Sequence, residues 1–195
     1  MIRRLAPKAK IIQIATDCVF SGEDGLYIET DIHDATDIYG KTKSLGEVKD
    51  KNFYNIRSSI IGIDEKQVSL LSWFLSQKKN AIINGYSNHY WNGITTLHFA
   101  KLCHAIIKRS NDIPNLLHFI PANNISKYEL LKIIADKINR KDIKIKKRKA
   151  ENTVDRTLFS KYGLMNLLLW ERMGYTTPQS IEDMVEELEE YVNKK

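Results

Sequence analysis

Short apolar runs alternate along this chain with amphipathic segments of helical period, and this alternation is the strongest constraint on its fold. The first run, Ile11–Ala15, is continuous and too short for a helix, so it predicts a buried strand. Further strand-type runs lie at residues 53–56, 81–84 and 116–120, and helical patterns separate them at residues 37–50, 67–77 and 95–108. Such an order predicts an α/β fold with a largely parallel sheet.

The last third of the chain continues with helical signals. Ser126 and Glu129 stand at the spacing of a capping box and predict a helix start there. Pro178 precedes a final segment with apolar residues at helical spacing, which predicts a last helix.

Composition narrows the class of protein. With 195 residues, 43% of them hydrophobic and 28% charged, the chain can bury a substantial core and is typical of a soluble globular protein. No apolar run approaches the roughly 20 residues needed to span a bilayer. Two cysteines, Cys18 and Cys103, are too few for a disulfide framework, so we expect a reducing cytoplasm.

The net charge of +6 is concentrated in residues 137–149, where eight of thirteen residues are Lys or Arg. Such a cluster could neutralise nucleic-acid phosphates. However, Ile143 and Ile145 alternate with lysines, as in an edge strand with a charged outer face, and no aromatic residues interleave to stack on bases. We therefore expect a solvated strand here and no nucleic-acid partner, with attraction of an anionic diphosphate as a weaker alternative.

The chemistry centres on Tyr39 and Lys43. A Tyr-x-x-x-Lys spacing occurs three times in the sequence, but only this pair follows a strand that ends in a hydroxyl, Thr16. On a helix the two side chains would point the same way, and the ammonium would lower the pKa of the phenol towards the range of a general acid. Thr16 would then orient the carbonyl that receives the proton. The alternative is a surface helix with a solvated lysine.

Three segments carry a family resemblance. They are Thr16-Asp17-x-Val19-Phe20-x-Gly22, Gly25-x-Tyr27-x-Glu29-x-Asp31 and Tyr39-Gly40-Lys41-Thr42-Lys43-x-x-Gly46-Glu47. In this order they resemble the extended short-chain dehydrogenase/reductases, and among them the dTDP-4-dehydrorhamnose reductase group. Weaker similarity continues through Arg57-Ser58-Ser59, residues 92–96 and residues 155–158.

The resemblance implies an NAD(P)H-dependent reductase of a 4-keto-6-deoxy nucleotide sugar, acting in surface polysaccharide synthesis. It implies a catalytic triad of Thr16, Tyr39 and Lys43. The cofactor, NADP(H) or NAD(H), would be bound by Tyr39, Lys43, Arg57 and Ser58. The nucleotide-sugar substrate would be bound by Asp17, Cys18, Val19, Trp91 and Asn92. No metal is expected. Cys18 and Ile60 differ from the residues common in these reductases, which leaves the identity of the sugar open.

One expected feature is missing from the sequence. The family binds its cofactor with a glycine-rich turn after the first strand, and none of the nine glycines here has that spacing. We therefore expect a partial Rossmann-like domain in residues 1–62, a mixed α/β substrate-binding lobe in residues 63–195, and weak cofactor binding by a truncated chain. Some elements of the lobe could return to the sheet.

An alternative is a non-catalytic protein of the same fold. The family also resembles the regulatory β subunit of methionine adenosyltransferase, which binds a partner enzyme. A nucleotide-sugar-binding or regulatory subunit is thus the second hypothesis. In either case we expect a cytoplasmic protein, a homodimer, and no membrane partner.

Overall fold

The fold is described from a computed structural model, which covers residues 5–6, 8–64, 66, 69–108 and 113–194. In chain order the strands are β1 (Ile11–Ala15), β2 (Phe53–Arg57), β3 (Ile60–Ile61), β4 (Ile82–Tyr86), β5 (His89–Trp91), β6 (Ile94–Thr95), β7 (Leu116–His118), β8 (Ile125–Ser126), β9 (Lys144–Arg148) and β10 (Val154–Asp155). The helices are α1 (Ile38–Leu45), α2 (Leu70–Leu75), α3 (Thr96–Lys108), α4 (Lys127–Lys137), α5 (Gly163–Arg172) and α6 (Ile181–Asn193).

The first sheet has the order β1-β2-β7, and both pairings are parallel. Its register places Ala15 opposite Arg57, and Arg57 opposite His118, so the carboxyl ends of all three strands meet at one edge. Because β7 comes from the second half of the chain, that half contributes directly to the sheet beside the candidate site.

The remaining strands form smaller sheets that extend away from this edge. β3 pairs with β6, β4 with β9, and β5 lies between β10 and β8. All of these pairings are parallel except that of β5 with β8. The predicted α/β fold with a largely parallel sheet is therefore confirmed.

A single large apolar cluster joins the sheet to the helices. It contains Ile56 and Leu117 from the first sheet, Leu102 from α3, and Trp170 from α5, all fully buried or nearly so. The Trp170 indole donates to the Ile120 carbonyl at 2.9 Å and stacks on Phe119 at 4.9 Å, which fixes α5 against the end of β7. No helix among the described residues is long and apolar enough to cross a membrane.

Several elements differ from the sequence-based predictions. The helix predicted over residues 37–50 ends at Leu45, because Gly46 follows and its carbonyl accepts from the Gln13 amide at 2.7 Å. Neither β5 nor α5 was predicted from the sequence. The predicted helix start at Gln67 lies outside the described residues. Within the basic stretch of residues 137–149, Lys144–Arg148 form β9, whose residues are mostly exposed as expected.

Candidate active site

Thr16 lies at the carboxyl end of β1, where the chain turns into a short 3-10 helix, Asp17–Val19. Its hydroxyl accepts from the Cys18 backbone N–H at 3.2 Å and donates to Asp17 Oδ1 at 3.1 Å. Thr16 is only 9% exposed. Asp17 and Cys18 therefore hold the hydroxyl at the strand end, and its proton is donated to Asp17.

Tyr39 lies beside Thr16 because α1 packs closely on the turn. Asp37 caps α1 by accepting from the Gly40 N–H at 2.8 Å. Gly40 permits the contact, since a Cβ there would lie 2.2 Å from the Cys18 carbonyl oxygen. The Tyr39 side chain remains 57% exposed, so its phenol can reach a ligand.

Lys43 points back towards the same strand end. Its ammonium donates to the Ile14 carbonyl at 3.2 Å, two residues before Thr16. The structure thus brings the predicted trio of Thr16, Tyr39 and Lys43 to one edge of the sheet. A carbonyl compound bound there could meet a hydroxyl and a phenol, with an ammonium nearby.

The expected lowering of the Tyr39 pKa is wrong for this structure. Burial raises the pKa of the phenol above its usual value, the neighbouring Cys18 thiol adds to this, and hydrogen bonding from Thr16 opposes it. The Lys43 ammonium is instead directed to the Ile14 carbonyl. The phenol therefore stays protonated at neutral pH, which is the state that a proton donor requires.

The residues expected to bind substrate differ in what they present. Burial raises the pKa of the Asp17 carboxyl, whereas the Lys127 ammonium lowers it. Burial and then Asp17 raise the pKa of the Cys18 thiol. The Val19 side chain is fully buried in a small cluster with Phe20, Tyr27 and Leu158, so only its backbone could contact a ligand.

Arg57 and Ser58, expected to bind cofactor, are both buried. The Arg57 side chain is 1% exposed and forms two bonds to Glu47, Nε to Oε1 at 2.7 Å and Nη2 to Oε2 at 2.6 Å. It also contacts the rings of His33 and His118. The guanidinium therefore joins the end of α1 to the sheet, and contact with a cofactor would fall to backbone atoms at this position. The Ser58 hydroxyl donates to the Ser59 carbonyl at 3.2 Å.

Trp91 and Asn92 lie on the side of the site formed by the second half of the chain. The Trp91 indole, 3% exposed, donates to the Ser59 hydroxyl at 2.7 Å. The Asn92 amide bonds both ways with the Leu158 backbone, at 2.7 and 2.9 Å. The Asn92 side chain thus fixes the backbone at Leu158. The buried Trp91 ring supports the side chains that pack on it.

Two cations of the site were missed by sequence reasoning. The Lys127 ammonium lies 5.4 Å from the centroid of the Trp91 ring. Arg156 donates from Nε to the Phe20 carbonyl at 2.9 Å, and its Nη2 lies 3.7 Å from Asp37. Arg156 falls within the segment of weaker family similarity, but nothing in the sequence distinguishes Lys127 from the other lysines.

A cavity of about 890 Å³ opens beside this site, with Ser44 and Arg57 among its lining residues. It is open, and it is bounded by the segment after α1 and by the start of β7, with His33, Glu47 and Asn55 among its lining residues. None of Thr16, Tyr39 and Lys43 lines it. The chemistry of the trio, and not the volume of this cavity, therefore identifies the candidate site.

Known proteins with a similar sequence or fold identify the family and the fold of this chain. Residues 5–193 match the sequence profile of a family described as the RmlD substrate binding domain. A dTDP-4-dehydrorhamnose reductase structure from Clostridium acetobutylicum aligns with a TM-score of 0.73 and 18% identity, over 95% of this chain and 66% of that chain. A dTDP-4-dehydrorhamnose reductase from Bacillus anthracis in complex with NADP aligns with a TM-score of 0.69 and 18% identity, over 99% and 68%.

A third neighbour is less similar. A dTDP-glucose 4,6-dehydratase from Bacillus anthracis, in complex with NAD, aligns with a TM-score of 0.64 and 14% identity, over 100% of this chain and 65% of that chain. This chain thus spans about two thirds of the length of these neighbours. At such identities the likeness shows the fold. No curated protein is similar enough in sequence to count as a relative.

Proposed function

We propose, from the premise that the chain belongs to the RmlD substrate-binding domain family, that it reduces the keto group of a 4-keto-6-deoxy nucleotide sugar such as dTDP-4-dehydrorhamnose. The observation that carries the proposal is the convergence of Thr16, Tyr39 and Lys43 at the carboxyl end of β1. A protonated, half-exposed phenol beside a fixed hydroxyl suits protonation of a carbonyl oxygen.

In the proposed reaction Tyr39 donates its proton to the carbonyl oxygen, and the C=O double bond becomes a CH–OH group. Thr16 would orient that oxygen by turning its hydroxyl from Asp17 to the substrate. A nicotinamide cofactor, when bound, supplies the hydride to the carbonyl carbon and leaves oxidised. Lys43 would favour the phenolate that remains, because a cation near a phenolate stabilises it.

The residues present fit one end of such a cofactor. Lys43 uses one of its N–H groups on Ile14 and has others for the ribose hydroxyls next to the nicotinamide. Tyr39 and the backbone at Arg57 and Ser58 would complete that end. For the pyrophosphate the 195 residues hold no glycine-rich turn before a helix. We therefore expect this chain by itself to bind NADPH weakly, and micromolar binding in a fluorescence titration would contradict this.

Replacement of Tyr39 by Phe tests the reductase proposal. We expect the rate of keto-sugar-dependent NADPH oxidation to fall by about 10²–10⁴-fold, the usual contribution of a general acid, while the protein stays folded. Tyr128→Phe is the matched control, because Tyr128 and Lys132 have the same spacing on α4 and lie outside the trio. Equal turnover in the Tyr39→Phe protein would reject this mechanism, whereas an unchanged protein without keto-sugar-dependent NADPH oxidation would favour the regulatory subunit.

We expect the reaction to take place in the cytoplasm, as a step in the synthesis of polysaccharide precursors. In that compartment the free thiols Cys18 and Cys103 would stay reduced. A homodimer is the expected assembly, and sedimentation of the purified protein measures it directly.

A further inference from the structure

Lys127 is the first residue of α4 and follows the N-cap Ser126. The residue is half-buried, and its ammonium lies over the Trp91 ring at 5.4 Å from the centroid. Within the described part of the chain, this ammonium has no hydrogen-bond acceptor and no contact ion pair. A desolvated cation with all its N–H groups unused is costly unless something else accepts them.

The path of contacts leads from Lys127 to the candidate active site. The Trp91 indole below the ammonium is bound to the Ser59 hydroxyl, and Ser59 follows the end of β2. The register of β1 and β2 sets Ala15 opposite Arg57, so the end of β2 lies beside Thr16. Lys127 is thus held at the same sheet edge as Thr16, on the side formed by the second half of the chain.

The charges around Lys127 are balanced. The Asp17 carboxylate attracts the ammonium across a gap too wide for a contact ion pair, and Arg156 is the other nearby cation. Arg156 is itself matched by Asp37 at 3.7 Å. The two cations, Lys127 and Arg156, are thus matched by two carboxylates, Asp17 and Asp37. The region therefore has no excess positive charge that would select an anion. A neutral hydroxyl suits it better than a phosphate.

We propose that Lys127 is a substrate-binding residue whose ammonium donates to a hydroxyl oxygen of the sugar ring next to the carbonyl that is reduced. This inference rests on the proposed function, because it takes the ligand to be a nucleotide sugar. Asp17 orients the ammonium, and Trp91 supports its stem. Lys127 therefore helps to determine which sugar is accepted.

A competing explanation is that Lys127 serves only as counter-charge for the buried Asp17. That role predicts a loss of stability in a Lys127 variant, with no preference between ligands that carry the sugar and ligands that do not. Lys127→Met keeps an unbranched apolar side chain and removes the charged donor, and the ligand preference of the variant separates the two explanations. Lys132→Met is the matched control, since Lys132 is an exposed lysine of the same helix whose ammonium also lies near an aromatic ring, 5.9 Å from the centroid of Tyr128.

The experiment measures the affinity of dTDP-L-rhamnose and of dTDP by calorimetry for the unchanged protein and both variants. We expect Lys127→Met to bind dTDP-L-rhamnose about tenfold or more weakly, the effect of losing one hydrogen bond from a charged donor, with dTDP affinity unchanged. Lys132→Met should bind both ligands as the unchanged protein does. Should Lys127→Met not fold, Lys127→Gln is measured in the same way.

The other outcomes overturn the inference. Equal weakening of both ligands would place the ammonium on the diphosphate, and no weakening would leave only the counter-charge role. A failure of the unchanged protein to bind either ligand would reject the proposed function and this inference with it. Turnover of the Tyr39→Phe protein decides the reductase proposal separately, because that variant retains Lys127 and should bind both ligands.

Discussion

Gly40 lies against the Cys18 carbonyl so closely that a Cβ at position 40 would meet that oxygen at 2.2 Å and the Ala35 Cβ at 2.5 Å. This contact sets the distance between α1, which carries Tyr39, and the turn after Thr16. The arrangement of the proposed catalytic trio therefore depends on a glycine that has no proposed role in the chemistry.

Gly40→Ala should push α1 away from the turn. We expect a loss of stability of about 1–3 kcal/mol from overpacking, and a large fall in turnover because Tyr39 moves relative to Thr16. Urea unfolding and NADPH oxidation measure the two effects. Gly163→Ala is the control, because a Cβ there meets nothing within 4 Å and should leave stability equal or higher. Full activity in the Gly40→Ala protein would show that the contact is not needed.

Glu47 and Arg57 provide a second test, since their buried pair fixes the end of the shortened α1. Both side chains are nearly inaccessible, 7% and 1% exposed. Glu47→Gln would leave the Arg57 charge without its carboxylate, and we expect a loss of about 3–5 kcal/mol in the free energy of unfolding. Asp136→Asn removes an exposed partner of Lys141 and should change little. Similar small losses in both variants would contradict the structural role of Arg57.

The sequence predicted the parts of the site that are local in the chain. Thr16 follows a continuous apolar strand, and Tyr39 and Lys43 are one helical turn apart, so their proximity needed only a parallel sheet and one helix. Lys127 and Arg156 reach the site only through the pairing of β5 with β8 and β10. No local pattern encodes that pairing, because β5 lies in a stretch whose glycines and polar residues are typical of a loop.

The missed helix α5 has a similar physical reason. Tyr162 stands at its N-cap without a side-chain hydrogen bond, so the usual start signal is absent from the sequence. The helix is stabilised by packing, above all by the fully buried Trp170. By contrast, α4 was predicted because Ser126 and Glu129 form a capping box that the structure confirms.

Asp17 should control the reactivity of Cys18. Burial and then the Asp17 charge raise the pKa of the Cys18 thiol, whereas burial alone raises that of Cys103. Asp17→Asn should therefore lower the pKa of Cys18 and speed its alkylation by iodoacetamide by roughly two- to tenfold at mildly alkaline pH. Mass spectrometry of each thiol gives the rates. An equal rise at Cys103 would instead indicate a loosened fold.

Mild acid should lower the free energy of unfolding at pH values above those at which the carboxylates titrate. Burial lowers the pKa of His98 from 6.5 to about 4, and that of His118 likewise to about 4. Below 6.5 the unfolded chain takes up protons that the folded rings do not, so the free energy of unfolding falls as pH drops from 6.5 to 4 and levels off below. We expect a loss of about 3 kcal/mol for each ring.

The groups around each ring allow this acid effect to be assigned. His98 is bonded to Thr95 at 2.8 Å and to Tyr175 at 3.0 Å, and its Nε2 lies 3.1 Å from the Glu187 carboxylate. His98→Gln offers an amide to these partners without a proton to titrate. Urea unfolding at several pH values should give a smaller pH dependence between 6.5 and 4.5 for this variant. Carboxylates with lowered pKa values, such as Glu187, lose their contribution only below 4.5, which is the usual value of that group. A pH dependence that begins only below 4.5 would therefore contradict the assignment to buried histidines.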